Sequence, residues 1–97
     1  ELPGKFPRDA VLARIRPTEE LDDLADCDLV IESVVEDIAV KRSLFAELDR
    51  CVQPTAILAT NTSTLPIVDI AMSTSRPDLV CGLHFFNYRS RVCFRII

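Results

Sequence analysis

Glycine is scarce in these 97 residues. Only Gly4 and Gly82 occur, so a G-x-G-x-x-G loop, the usual cradle for a dinucleotide's phosphates, cannot exist anywhere in the chain. Metal-binding spacings are missing too: Cys27, Cys51, Cys81 and Cys93 are scattered without a C-x-x-C pair, and His84 is the one histidine available to complete a metal site. The cysteines read as buried thiols in a reducing compartment, with a disulfide framework as the alternative. No basic run offsets the net charge of −4, which argues against nucleic acid or an anionic membrane as partner. No stretch approaches the roughly 18 apolar residues of a membrane span. The start, Glu1-Leu2-Pro3-Gly4, lacks the basic region and apolar core of a signal peptide. These absences predict a soluble, intracellular protein working on small molecules.

Hydrophobic residues are plentiful, at 48%, enough for one small core and hence one domain or a piece of one. Residues 1–10 carry Pro3, Gly4 and Pro7 among charges and read as a loop or truncated end. Over residues 11–16, Val11, Ala13 and Ile15 alternate against Arg14 and Arg16, a short strand stopped by Pro17. Thr18 is placed to cap a brief acidic helix over residues 19–25, with Glu19 and Glu20 at its positive end. Residues 28–35 form a nearly continuous β-branched run, the mark of a strand covered on both faces. Ile38, Phe45, Leu48 and Val52 then repeat at helical spacing up to Pro54. The cycle recurs with a strand over residues 56–60, a polar turn over 61–64, a helix over 65–71, and a strand over 79–83 running into His84. Strands alternating with helices at this spacing call for crossovers and a doubly wound parallel sheet, an α/β fold.

Ligands of such sheets bind beyond the carboxyl ends of the strands. Glu32 and Glu36 follow the first run, Asn61, Thr62, Ser63 and Thr64 the second, and His84 with Asn87 the third. An imidazole's ordinary pKa suits a general base near neutrality, although a histidine at a strand end also serves structure. Ser63 can hydrogen-bond a substrate oxygen, but on physical grounds Ser63 or Thr64 capping the helix that Pro66 starts is the simpler role. Lys41 falls on the helix face that packs inward, where an unpaired ammonium is costly. Glu36 or a ligand oxygen can satisfy it, or it snorkels to water. Phe85 and Phe86 read as core.

Taken in order, Asp28-Leu29-Val30-Ile31-Glu32-Ser33-Val34-Val35-Glu36-Asp37, then Val40-Lys41, then Ala59-Thr60-Asn61-Thr62-Ser63-Thr64, then Gly82-Leu83-His84-Phe85-Phe86-Asn87 resemble the 3-hydroxyacyl-CoA dehydrogenases, the 3-hydroxybutyryl-CoA dehydrogenases among them. The similarity runs ungapped from about Arg14 to Asn87. It implies a partial Rossmann-like NAD-binding domain lacking the first βαβ unit, with a core over residues 11–87 and a divergent end over 88–97. It also implies oxidation of an L-3-hydroxyacyl-CoA to the 3-ketoacyl-CoA with hydride passing to NAD, in a cytoplasmic bacterial protein or a mitochondrial matrix one, the cytoplasm preferred. By the same resemblance His84 removes the hydroxyl proton, Ser63 hydrogen-bonds the same oxygen, and Glu36, Lys41, Ser63 and Asn87 line the cofactor side. The family is usually homodimeric through a helical domain that is not in these residues.

Two departures stand out. The family places a glutamate twelve residues after the histidine to orient it; that position is Ile96 here, and Arg95, one residue earlier, puts a cation where the family has an anion. Tyr88 replaces the proline that follows the asparagine. A catalytically inactive Rossmann-like fragment or assembly module is therefore the alternative to an enzyme. With the phosphate cradle outside the chain, the 97 residues alone are expected to bind NAD weakly or not at all. Calorimetric titration checks this, and a micromolar affinity contradicts it.

Overall fold

The computed structural model describes residues 7–88 and 91–96, with side chains over 7–85. The loop expected over residues 1–10 lies outside the described residues as far as residue 6. Pro7, with φ −56°, opens a short helix α1 (Arg8–Leu12) with Asp9 in its first turn, where the alternation predicts a strand. That alternation has only three apolar members, and the sheet offers it no neighbour. Its peptide groups pair locally instead, Val11 N donating to Pro7 O at 3.1 Å and Ala13 N to Asp9 O at 2.9 Å. The acidic helix expected over residues 19–25 is a single 3₁₀ turn, Leu21–Leu24. Thr18 lies outside it, accepting from Glu20 N and donating to Asp23.

From residue 28 to 83 the predicted alternation is present as β1 (Leu29–Glu32), α2 (Ile38–Cys51), β2 (Ile57–Thr60), α3 (Ile67–Ala71), a 3₁₀ turn (Pro77–Leu79) and β3 (Val80–Tyr88), which runs longer than predicted. A further strand that the sequence does not predict, β4 (Arg91–Ile96), follows in the divergent end. The sheet order is β1-β2-β3-β4. The first three strands are parallel, with Glu32 beside Thr60 and Thr60 beside Gly82, and β4 returns antiparallel to β3. The run over residues 28–35 yields a shorter strand because Val34 N turns back onto the Glu32 side chain at 2.8 Å. Helix α3 starts later than predicted because Thr62 Oγ1 takes the Leu65 amide at 3.1 Å in a turn of its own.

Val30, Phe45, Leu48, Val52, Ala56, Leu58 and Ile70 form one core cluster, so α2 and α3 lie on one face of the sheet. On the other face Leu29, Ile31 and Ile57 stay 40–48% exposed. Among the described residues the first strand is therefore covered on one face, not both, and no second helical layer is present. The described cysteines are not fully buried: Cys27, Cys51 and Cys81 are free and half-buried, Cys27 and Cys51 packed at the margin of the core, while the Cys93 side chain lies outside the described residues.

Helix α2 is capped at both ends. Asp37 accepts from Val40 N at its start. At its finish Arg76, 7% exposed, reaches back over the last turn and donates to the carbonyls of Asp49, Val52, Gln53 and Ala56. Its Nε also pairs with Asp49 at 2.7 Å. Burial alone would raise the Asp49 carboxyl, but the Ser75 amide at 2.8 Å and the guanidinium outweigh it and hold the group below the usual range. This planar fork meets acceptors that a point charge cannot all reach. Arg76→Met, which strands four carbonyls and a carboxylate, is expected to lower stability by about 3 kcal/mol or more. Urea unfolding measures it; an unchanged midpoint contradicts the assignment.

Candidate functional site

Three parallel strands end at one edge, and Asn61 ties those ends together. Its backbone N donates to Glu32 O at 2.8 Å and its Nδ2 to Ser33 Oγ at 3.0 Å, both at the end of β1. Its Oδ1 accepts from Phe85 N of β3 at 2.8 Å. One amide side chain thus sets the spacing of the three loops that carry the predicted site residues.

Glu36 lies beyond β1 with its side chain 38% exposed, and it folds over the turn at residues 62–64. One oxygen, Oε2, accepts from Thr62 Oγ1 at 2.6 Å and Ser63 N at 3.1 Å, with longer contacts to Ser63 Oγ at 3.5 Å, Thr64 N at 3.4 Å and Thr64 Oγ1 at 3.3 Å. The Thr62 hydroxyl is the main reason its pKa falls from 4.5 to about 2; burial opposes the shift, while the Ser63 and Thr64 amides and the Lys41 charge add to it. Neither Ser63 nor Thr64 caps α3, whose N-cap is Pro66 with no side-chain bond. That corrects the simpler role considered for them, since Thr62 already occupies the turn.

Lys41 is 1% exposed, so it does not snorkel. It sits in the first turns of α2 facing β1, too deep for its stem to reach water. Its ammonium pairs with the buried Glu32, approaches Glu36 Oε1 at 3.4 Å and donates to Val34 O at 3.3 Å. Glu32 is the partner that sequence reasoning passed over. The signal was available, because Val30 faces inward and a strand's period of two puts Glu32 on the same face. His84 is half-buried in β3, and its register partner on β4 is Arg95. Phe85 is 39% exposed and is not core, since it stands at the strand end whose amide Asn61 holds. Asn87 belongs to β3 opposite Val92; its side chain, like that of Phe86, lies outside the described set. Among the described residues no group of His, Cys, Asp and Glu is arranged to hold a metal ion.

The NAD binding domain of 3-hydroxyacyl-CoA dehydrogenase matches residues 4–90. The chain belongs to this family. Its 3-hydroxybutyryl-CoA dehydrogenase relative from Mycobacterium tuberculosis is 56% identical over 81 residues, 82% of this chain and 28% of the relative. The relative of the same description from Clostridioides difficile is 47% identical over 83 residues, 86% and 30% of the two chains. Among solved structures, FadB2 of M. tuberculosis superposes with TM-score 0.80 at 52% identity, covering 87% of this chain and 31% of that one. The 3-hydroxybutyryl-CoA dehydrogenase of Escherichia coli K12 does so with TM-score 0.79 at 41% identity, covering 87% and 18%. The chain thus spans less than a third of the length of the curated relatives it matches.

Within this 3-hydroxyacyl-CoA dehydrogenase domain, Glu36, Lys41 and Ser63 form one connected cluster, and His84 lies on the neighbouring strand, next to the Phe85 amide that Asn61 holds. Because the Glu36 pKa is depressed, its contribution to stability is fully present above 4.5 and is lost as the pH falls toward 2. Removing its strongest hydrogen bond with Thr62→Val should raise that pKa toward 4.5, so that the acid-linked loss becomes smaller and ends at a higher pH. A carboxyl NMR titration checks this; a Glu36 value still near 2 contradicts it.

Proposed function

We propose that this chain is part of the NAD-binding domain of a protein that oxidises an L-3-hydroxyacyl-CoA to the 3-ketoacyl-CoA. The observation carrying this reading is the convergence, tied by Asn61, of the Glu36 loop, the hydroxyl-rich turn at 62–64 and the strand bearing His84 on one sheet edge. In this reading His84 takes the proton of the substrate hydroxyl as general base. Ser63 donates to the same oxygen, which becomes alkoxide-like as the proton leaves. Its hydroxyl is only loosely engaged by Glu36, at 3.5 Å, and so is available to turn. NAD, when bound, accepts the hydride released from the carbon bearing that oxygen. Glu36, Lys41, Ser63 and Asn87 are assigned to the cofactor side. The exposed carboxylate and hydroxyls fit the ribose and nicotinamide end of a dinucleotide, whereas two glycines leave no cradle for its diphosphate. The substrate class, an acyl-CoA, rests on what the relatives are named for. A cytoplasmic site of action is the accompanying inference; no helix among the described residues is long and apolar enough to cross a membrane.

A second reading, a catalytically inert module kept for assembly, is favoured by the register that sets Arg95 opposite His84 and by Ile96 at the family's glutamate position. One experiment divides the two. In the complete protein, His84→Gln should reduce turnover by roughly 10²- to 10⁴-fold, the loss typical of a missing general base. Turnover unchanged by the substitution removes His84 from the mechanism, and a complete protein without dehydrogenase activity favours the inert module.

A further inference from the structure

Two carboxylates share one ammonium at the end of β1, and they are not equivalent. Glu32 is wholly enclosed: Oε2 accepts from Lys41 Nζ and from Val34 N at 2.8 Å, and Oε1 from Thr60 Oγ1 at 2.5 Å. Glu36 is the outer member, with Oε1 turned to Lys41 at 3.4 Å and Oε2 turned to the 62–64 turn at 2.6 to 3.5 Å. The buried pair is neutral as a unit, so the surplus negative charge of the three groups resides on Glu36, the one that solvent reaches. Without Glu32 the sealed ammonium would have one anion left to pair with, and the pull on Glu36 would be inward, away from Ser63 and Thr64.

The geometry points to Glu32 as a positioning residue: by neutralising Lys41 inside the sheet, it releases Glu36 from the role of counter-ion and lets it hold the turn that presents Ser63. Its functional meaning rests on the dehydrogenase reading of this edge, but the mechanics are testable with neither cofactor nor substrate. Failure of one is therefore distinguishable from failure of the other. Thr60 completes the device. It sits beside Glu32 in register and is fully buried, so its hydroxyl keeps the Glu32 carboxylate from rotating toward the turn.

The test is amide hydrogen exchange, followed by NMR on the 97-residue chain. In Glu32→Gln, of nearly equal shape, the Ser63 and Thr64 amides should exchange about tenfold faster, the equivalent of one hydrogen bond to a charged acceptor, while amides in the middle of α2 keep their ranking. In Glu32→Gln/Lys41→Met the ammonium is gone, Glu36 has nothing to be drawn to, and protection of Ser63 and Thr64 should return. A role of Glu32 in packing alone predicts the opposite, since the second substitution would add to the damage. Unchanged protection in Glu32→Gln overturns the proposal. If that variant does not fold, the double variant decides: a folded chain with a protected turn supports the proposal, whereas an unfolded one, or a folded one with an unprotected turn, overturns it.

Discussion

A lysine ammonium enclosed between a helix and a sheet must meet a carboxylate or give up its proton, because leaving it charged and alone costs several kcal/mol. The arrangement around Lys41 follows from that constraint. Glu32 has to be inward on β1, its second oxygen has to be held by Thr60 of the next strand, and the chain has to turn at Val34 so that backbone groups complete the shell. Three elements are drawn to one buried charge pair. The strand ends that result are polar on the inside and open on the outside, an arrangement suited to receiving a ligand.

The second shared element is Asn61. A parallel sheet aligns its strands but leaves the loops beyond them free to diverge, and here a single amide bonds to both outer neighbours at once. Glu36 adds a further tie across the same edge, from the loop after β1 to the turn after β2. The hydroxyl of Ser63 is consequently presented by a framework of fixed partners on either side. Such prior ordering limits what a reacting group must lose on binding.

Much of this was legible in the sequence. The alternation of apolar runs and helical stripes identified β1, α2, β2, α3 and β3 in order, because burial of one face imposes a periodicity that composition cannot hide. The polar residues after each run marked the edge at which their side chains meet. What failed was local. Three alternating residues at 11–16 are too few to outweigh a proline-started helix whose amides find partners at short range. Thr62 was not distinguishable from Ser63 and Thr64 as the residue that would organise its turn, since all three carry hydroxyls and only the fold decides which is enclosed. Glu32 was named at the end of its strand but not as the partner of Lys41, because only the inward Lys41 opposite it makes the burial of its carboxylate tolerable. Arg76 gave no periodic signal at all. Its role depends on a meeting of chain segments more than twenty residues apart.

That meeting has a bearing on how the molecule comes apart. Helix ends ordinarily fray one turn at a time, each carbonyl exchanging its partner for water. The acceptors of Arg76 extend from the last turn of α2, through the connection at Gln53, to Ala56 at the threshold of β2. Loosening any of them exposes a guanidinium that the others still hold. The final turn of α2 and the entry to β2 are therefore expected to open together, as one cooperative unit spanning a helix and a strand.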